Sequence, residues 1–545
     1  MNSASAVASI LKAEQVQYLF CFPVNPLIDE CARLDIRSIV GRTERTLVNM
    51  ADAYSRVNNG RKIGVVAVQH GPGAENAYAG VAQAYSDGSP VLFLPGGNPL
   101  ELVGLPPNYD AAAAFRAISK WSARIAAPRR VPPFLRRAFS LMRNGRPGPV
   151  VLELPIDVAF EEVEAFTYKP AVTVRSEGDP ADVRVALKML LAAERPVLHV
   201  GQGVLWAEAW DELRELAELL CLPVMTTLTG KSAFPEDHPL ALGAGGNSTT
   251  GMVGHFLKSS DLVFGVGCSF TSTPFGTAIP PHKTIVHVTR DEGDLNKDVG
   301  VDHAVLGDAK LVLRQLIDEA KRQGVKRHSE ALVAEIARVK QAWLAHWMPK
   351  LSSDEVPINP YRVVRELSRA TDHAQTILTH DSGMPRDQLV PFWEATAPRG
   401  YLGWGKSTQL GSSLGFALGA KLARPEKLSV HFLGDTAFGM CGMDLETAAR
   451  EKLPTLTILL NNGLMGGYDK YIPVASEKYQ ARFHSGNYSK LAEGLGVSAQ
   501  QVRHPGELAS AIAKAIETTK AGTPAMIEVF TREETTLSKG MPETR

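Results

Sequence analysis

Along most of the chain, short apolar runs alternate with stretches whose apolar residues recur at helical spacing. Apolar runs bounded by turn residues fit strands buried on both faces, as in parallel sheets covered by helices. The pattern falls into three blocks. In the first, strands are expected at 18–22, 38–40, 63–68, 91–94 and 150–154, with helices at about 44–58 and 74–86. A polar stretch at 168–180 reads as a linker. The second block has strands at 196–200, 224–226, 262–266 and 284–288, and a charged helical stretch at about 329–346 leads to a boundary loop, SSDEVPINP. The third has strands at 376–379, 429–433, 455–460 and 525–530. The expected fold is α/β: three consecutive doubly wound parallel-sheet domains at 1–167, 181–325 and 358–533, followed by a polar, mobile tail at 534–545.

Composition adds little beyond this. The 545 residues suit three or four domains. Basic and acidic residues balance at 58 each, giving no reason to expect a nucleic-acid or membrane-surface partner. The cysteines Cys21, Cys31, Cys221, Cys268 and Cys441 show neither zinc spacing nor a disulfide framework, so a reducing, cytoplasmic setting is expected. The N-terminus has no basic start before its apolar residues and reads as a helix, not a signal peptide. No apolar run reaches the length of a membrane span.

Candidate chemistry concentrates in LSVHFLGDTAFGMCGMDLETAAREKLPTLTILLNNGLMGGY. It reads as strand, tight turn, helix, strand and turn. Gly434 ends the first strand, where a missing side chain permits a sharp turn and close backbone approach. Asp435 then stands at the carboxyl end of a strand, where α/β proteins bind ligands. The amides near Thr436 and Ala437 can point at an anion. A helix through 444–450 leads to a strand ending at Asn461-Asn462. An Asp and an Asn brought together supply hard oxygen ligands for magnesium, completed by a backbone carbonyl and phosphate oxygens.

This spacing resembles the thiamine-diphosphate motif, in which Gly-Asp is followed about two dozen residues later by Asn-Asn; Thr436 departs from the usual Gly or Ala. Three further segments share the resemblance. SIVGRTERTLVNMADAYSRV is similar to the segment that supplies the family's glutamate, here Glu44. GVVAVQHGPGAENAYAG is similar to the Ser-Gly-Pro-Gly-Ala-Thr-Asn segment of acetolactate synthases, with Gly71 and Gly73 in its turn. STQLGSSLGFALGAKLARPEK is similar to the segment that meets the aminopyrimidine. The chain is thereby identified as a member of the acetolactate synthase, pyruvate oxidase and benzoylformate decarboxylase superfamily. The resemblance implies pyrimidine-binding, central and diphosphate-binding domains in that order. It implies Glu44 as the acid at the pyrimidine ring. Leu410 would be the prop of the cofactor's V shape, and the Thr408 carbonyl the acceptor for its amino group. Diphosphate and metal would fall to Gly434, Asp435, Thr436, Ala437, Asn462, Leu464 and Met465, with Asp435, Asn462 and Leu464 on the metal. It also implies a homodimer or homotetramer whose active sites combine Glu44 of one subunit with Asp435 of another.

Substrate contacts are expected from loops at strand ends: Asn25, Gln69 and His70, and Tyr468, with Gln69 and His70 also catalytic candidates beside Glu44. Asn25 serves equally well as a turn-stabilising residue, and His70 as a proton shuttle or a local hydrogen-bonding group. The central segment GVGCSFTSTPFG lacks the Arg-Phe-Asp pattern that accompanies flavin in the synthases. Flavin adenine dinucleotide is therefore not expected, although Gly201–Gly203 leaves another nucleotide open. THDSGMPRDQ keeps an Asp-Xaa-Gly without the following Gln-His. The expected activity is a carbon–carbon lyase or transferase acting on a 2-oxo acid. The alternatives are a non-flavin decarboxylase, a 2-hydroxyacyl-CoA lyase using tail cations such as Lys539 and Arg545, and a catalytically silent cofactor-binding homologue.

Overall fold

Each block folds around a six-stranded, wholly parallel sheet in the computed structural model, which describes residues 1–541. The first sheet comprises β1 (Tyr18–Cys21), β2 (Arg37–Val40), β3 (Gly64–Val68), β4 (Val91–Gly97), β5 (Trp121–Arg124) and β6 (Val150–Pro155), in the order β2-β1-β3-β4-β6-β5. The second comprises β7 (Pro196–Val200), β8 (Val224–Thr226), β9 (Ala241–Ala244), β10 (Leu262–Val266), β11 (Thr284–Thr289) and β12 (His303–Leu306), in the order β12-β11-β10-β7-β8-β9. The third comprises β13 (Thr376–His380), β14 (Tyr401–Leu402), β15 (Leu428–Gly434), β16 (Thr455–Asn461), β17 (Ser498–Val502) and β18 (Ala525–Phe530), in the order β14-β13-β15-β16-β18-β17. The three expected sheets are present. The strands that apolar patterning does not reveal are β5, β9, β12, β14 and β17, and every one is an edge strand. An edge strand is covered less than an inner one, so it carries no double-sided apolar run; β17 reads SAQQV.

The outer two domains meet through two helices. Glu44–Val57 packs on Ser413–Ala423 with almost no space between the backbones. A Cβ on Gly419 would lie 2.1 Å from the Met50 carbonyl, and one on Gly415 2.6 Å from Asn49 Cβ. Leu47 and Met50 share one apolar cluster with Leu414, Leu418 and Leu433.

Arg56, on the first of these helices, is buried where all three domains converge. Its guanidinium donates to Asp52 at 2.6 and 3.0 Å and to Asp87 at 3.3 Å within the first domain. It also donates to Gln202 Oε1 of the central domain at 3.3 Å and to the Gly403 carbonyl of the third at 3.0 Å. Burial alone would lower its pKa, but Asp52 and Asp87 outweigh burial and raise it, so the charge is retained.

The helix Glu330–Leu351 is more than a charged connector. Trp343 stacks on Phe392 at 4.9 Å, and Trp347 packs against Tyr361, so its apolar side joins the central and third domains. The expected mobile tail is a correction. Residues 533–541 run as a strap over this seam, with Glu534 and Ser538 buried. Tyr361 donates its hydroxyl to the Thr536 carbonyl at 2.7 Å, Trp343 Nε1 donates to Ser538 Oγ at 3.0 Å, and the Thr249 amide donates to the Ser538 carbonyl at 2.8 Å. Polar composition here reflects groups that bond to other domains, a pairing that local sequence does not display. Residues 542–545 of the expected tail, including Arg545, lie outside the described residues. Among the described residues, no helix is long and apolar enough to cross a membrane, and all five cysteines are unpaired.

Burial pushes four histidines below their ordinary value of 6.5: His287, His199 to about 4, and His380 and His431 each to about 3. The unfolded chain binds more protons than the folded one between those values and 6.5, so stability falls as pH drops through that window. The three groups shifted furthest alone bring the slope to about 4 kcal/mol per pH unit at its steepest. Calorimetric Tm values are expected to be level near pH 7–8 and to drop progressively below about pH 6. A flat profile down to pH 5 would contradict the neutral burial of these rings.

Candidate active site

One half of the site lies at the top of the first sheet. Thr43 ends the turn after β2 in extended conformation and N-caps the helix that begins at Glu44. Glu44 is buried, and its Oε2 accepts a hydrogen bond from Asn76 Nδ2 at 3.3 Å. The turn after β3 needs Gly71, at φ +59°, and the helix Pro72–Asp87 then passes close to Glu44. A Cβ on Gly73 would lie 3.6 Å from Glu44 Oε1 and 3.2 Å from Gln69 Cβ. Gln69 is half-buried and His70 exposed on the same turn. Asn25 has its side chain fully engaged. Its Nδ2 donates to the carbonyls of Val68 and Leu94 at 3.0 and 3.1 Å, and its Oδ1 accepts the Leu27 amide at 3.0 Å. That arrangement clamps the ends of β3 and β4 and favours the turn-holding role over substrate contact.

The other half lies at the carboxyl ends of β15 and β16, adjacent strands of the third sheet. Asp435 begins the short helix Asp435–Cys441 and is buried. Its carboxylate accepts the Thr436 amide and the Gly463 amide, each at 2.7 Å. The second bond places the Asn461–Leu464 turn on Asp435. Asn462 Oδ1 in turn accepts the Leu464 amide at 3.2 Å. Carboxylate, amide oxygen and turn carbonyls thus share one small region as hard donors. Among the described residues no Lys or Arg pairs with Asp435, and burial pushes its pKa up against the backbone N–H donors and the nearby His484 that lower it. Among the described residues no group of three or more His, Cys, Asp or Glu could hold a metal. A cation here would have to complete its shell from amide, carbonyl and ligand oxygens.

Two expectations change in detail. Gly434 has φ −97°, extended backbone that any residue adopts, and a Cβ there would meet only Pro385 Cγ at 3.4 Å. No sharp turn requires this glycine. The Thr436 amide, expected to face an anion, is held by the Asp435 carboxylate.

Beside this turn lies the third expected element. Thr408 sits at φ +53°, uncommon for a threonine, and Leu410 is half-buried against the apolar cluster shared by the outer domains. The brace for this segment is Asp381, at the end of β13, which sequence reading leaves out of the site. Its buried carboxylate accepts the amides of Ser382 at 2.8 Å, Gly411 at 3.0 Å and Ser413 at 3.0 Å. Glu528, another unassigned residue, accepts Asn461 Nδ2 at 2.7 Å and the Ser489 amide at 2.8 Å, holding the start of the Asn461–Leu464 turn from β18. The one visible signal for both is a carboxylate on or ending a core strand. Met465 pairs its amide with the Arg482 carbonyl at 2.8 Å, and Tyr468 is 45% exposed beyond it.

No hydrogen bond or ion pair joins the Glu44 side chain itself to the third domain among the described residues, although Arg45 beside it donates to the Met440 carbonyl. In the central domain, Gly201 and Gly203 serve a packing purpose: a Cβ on Gly203 would lie 2.6 Å from Gly267 Cα, and one on Gly201 2.3 Å from the Gly267 carbonyl. Close approach of the start of the helix Gln202–Ala207 to the Gly267 loop accounts for that Gly-Xaa-Gly. Both form part of a cleft lined also by His199, Phe270, Arg290 and Lys406.

Comparison with known proteins matches all three domains. Residues 1–116 match the N-terminal TPP binding domain of thiamine pyrophosphate enzymes, 183–316 their central domain and 381–529 their C-terminal TPP binding domain. The chain is 31% identical to a probable acetolactate synthase large subunit of Methanococcus aeolicus, over 95% of this chain and 90% of that protein. It is 32% identical to the probable acetolactate synthase large subunit of Methanocaldococcus jannaschii, with the same coverage. It is 29% identical to a glyoxylate carboligase of Escherichia coli O157:H7, over 99% of this chain and 95% of that protein.

Replacing Asp381 by Ala strands three buried backbone amides at once. The expected cost is about 3 kcal/mol or more in denaturant unfolding. Hydrogen exchange should accelerate locally at Gly411 and Ser413. Unchanged protection of those two amides would remove Asp381 as the brace.

Proposed function

Since the chain belongs to the thiamine-diphosphate-dependent enzymes of the acetolactate synthase and pyruvate oxidase superfamily, we propose that it joins or cleaves carbon–carbon bonds of a 2-oxo acid at a site made by the Glu44 and Asp435 clusters. The observation that carries this reading is the buried Asp435 carboxylate with no Lys or Arg partner among the described residues, set against the Asn461–Leu464 turn. A divalent cation supplies the missing counter-charge, and magnesium suits the oxygen donors. Asp435, Asn462 and the Leu464 carbonyl would hold the ion, whose charge would offset that of the cofactor's diphosphate. Gly434, which the fold itself does not require, leaves room for that group, with Thr436, Ala437 and Met465 around it.

When bound, thiamine diphosphate supplies a nucleophilic thiazolium carbon and an electron sink for bond cleavage. The chain's residues supply position and protons. Glu44 holds a proton at the pyrimidine ring nitrogen, shielded from water by its burial and by Asn76. Leu410 would support the cofactor, and the Thr408 carbonyl would accept from its amino group. Gln69, His70 and Tyr468 stand nearer solvent, where a substrate enters.

Two subunits complete the site. Apolar surface beside each cluster supports this. Tyr78 and Tyr85 are 37% and 42% exposed on the helix that carries Asn76; Met440 and Met443 are 48% and 47% exposed just after Asp435. A CoA substrate receives less support, because Lys539 Nζ is held by Asn247. The retained Glu44, Asp435 and Asn462 argue against a silent homologue.

Glu44→Gln is expected to cut turnover by about 100-fold or more while leaving cofactor binding measurable. Undiminished turnover would sink the assignment. Asp435→Ala should weaken joint binding of magnesium and cofactor at least about tenfold by calorimetry, and unchanged affinity would refute the metal role. Incubating the protein with single 2-oxo acids and with pairs, and weighing the products, is expected to yield a coupled hydroxyketone. Free aldehyde alone would point to a decarboxylase instead.

A further inference from the structure

The turn that delivers Glu44 is held from the other end of the chain. Asp444 lies between the helix Asp435–Cys441 and the helix Leu445–Arg450, and it is fully buried. Its Oδ1 accepts the Arg42 amide at 2.7 Å and the Thr447 hydroxyl at 3.0 Å, and its Oδ2 accepts the Thr43 hydroxyl at 3.1 Å. Thr43 is the N-cap residue of the Glu44 helix, and its hydroxyl also lies 2.8 Å from that of Thr46. One carboxylate therefore fixes both residues that precede Glu44. The approach depends on Gly41, where a Cβ would come within 2.8 Å of Leu47 Cδ2 and 3.4 Å of Asp444 Oδ1.

Neighbouring contacts run in the same direction. Arg45 Nη2 donates to the Met440 carbonyl at 2.9 Å, Arg37 pairs with Glu451 at 2.9 Å, and Arg450 donates to the Val40 carbonyl. These are more exposed and individually worth less than a buried carboxylate bonded to a backbone amide. The segment that opens with Asp435 thus ends by gripping the Glu44 turn.

We infer that Asp444 is a positioning residue for the proton-holding Glu44: it sets where the Glu44 carboxylate stands by fixing the Arg42–Thr43 turn from the third domain. The inference rests on the reading of Glu44 above. A carboxylate displaced by about 1 Å loses much of its effect on a proton transfer, on the order of 10- to 100-fold.

The test uses the full chain with thiamine diphosphate and magnesium, and follows exchange of the cofactor's C2 proton for deuterium by quenched-flow NMR. Asp444→Ala is expected to slow exchange by about 10- to 100-fold, while calorimetry gives a cofactor affinity within about threefold of wild type. In the Glu44→Gln background, Asp444→Ala should add less than a further twofold, because its effect passes through Glu44. Asp444→Asn keeps an acceptor for Arg42 but not one for the Thr43 hydroxyl proton. It should slow exchange about threefold or more, and it decides the matter if the Ala variant does not fold. Exchange at the wild-type rate in whichever Asp444 variant folds overturns the inference, as does a full additional loss in the Glu44→Gln background. Failure of the Glu44 reading is seen separately, as normal exchange in Glu44→Gln alone.

Discussion

Five N–H donors on one buried guanidinium hold the three domains in register. Arg56 satisfies Asp52 and Asp87 beside it and spends the rest on Gln202 and the Gly403 carbonyl, so each domain contributes an acceptor. Burying a charge is costly unless it is paired and fully hydrogen-bonded, and removing one partner leaves the others stranded. The domains therefore share one polar centre that tolerates no sliding. Gly403 leads directly to Lys406 and Thr408, and Gln202 belongs to the loop packed on Gly267, so the arginine also fixes the approach to the candidate site.

Around that fixed point the site is assembled from turns, each stabilised by a carboxylate accepting backbone or side-chain amide N–H groups. Asp381 serves the Thr408–Ser413 segment, Asp435 the Asn461–Leu464 turn, Asp444 the Arg42–Thr43 turn and Glu528 the strand end at Asn461. Amide donors hold a buried carboxylate rigidly without a long, flexible cationic side chain. Asp435 differs from the others in its setting. It lies beside further oxygen donors and next to a glycine that the chain's own conformation does not demand.

What the sequence reveals of this follows from the range of each interaction. Inner strands are legible because they are apolar on both faces, whereas β5, β12 and β17 at the edges are half-covered and read as loops. Glu44, Asp435 and Asn462 are legible because each belongs to a local pattern of strand, turn and helix. Asp381, Asp444 and Glu528 depend on partners up to hundreds of residues away, so no local pattern marks them. The same reasoning explains Asn25 and Gly434. Asn25 looks like a free polar group until Val68 and Leu94 are seen to claim it, and Gly434 looks like a turn former until its ordinary φ is measured. Strap residues such as Ser538 look solvated because the threonine and tryptophan they meet lie in other parts of the chain.

That strap has a consequence for biosynthesis. The seam between the central and third domains is finished by residues 533–541, with Ser538 bonded to both Thr249 and Trp343 and Met541 packed at Gly251. During vectorial synthesis the first two domains emerge and collapse early, yet this face of the central domain must wait for residues 533–541 to leave the ribosome. Until then, the indole of Trp343 lacks its acceptor and the Thr249 loop its partner segment. The fastening that closes this seam is made 289 residues after the loop it fastens, so an early-formed domain keeps an unfinished face through most of synthesis.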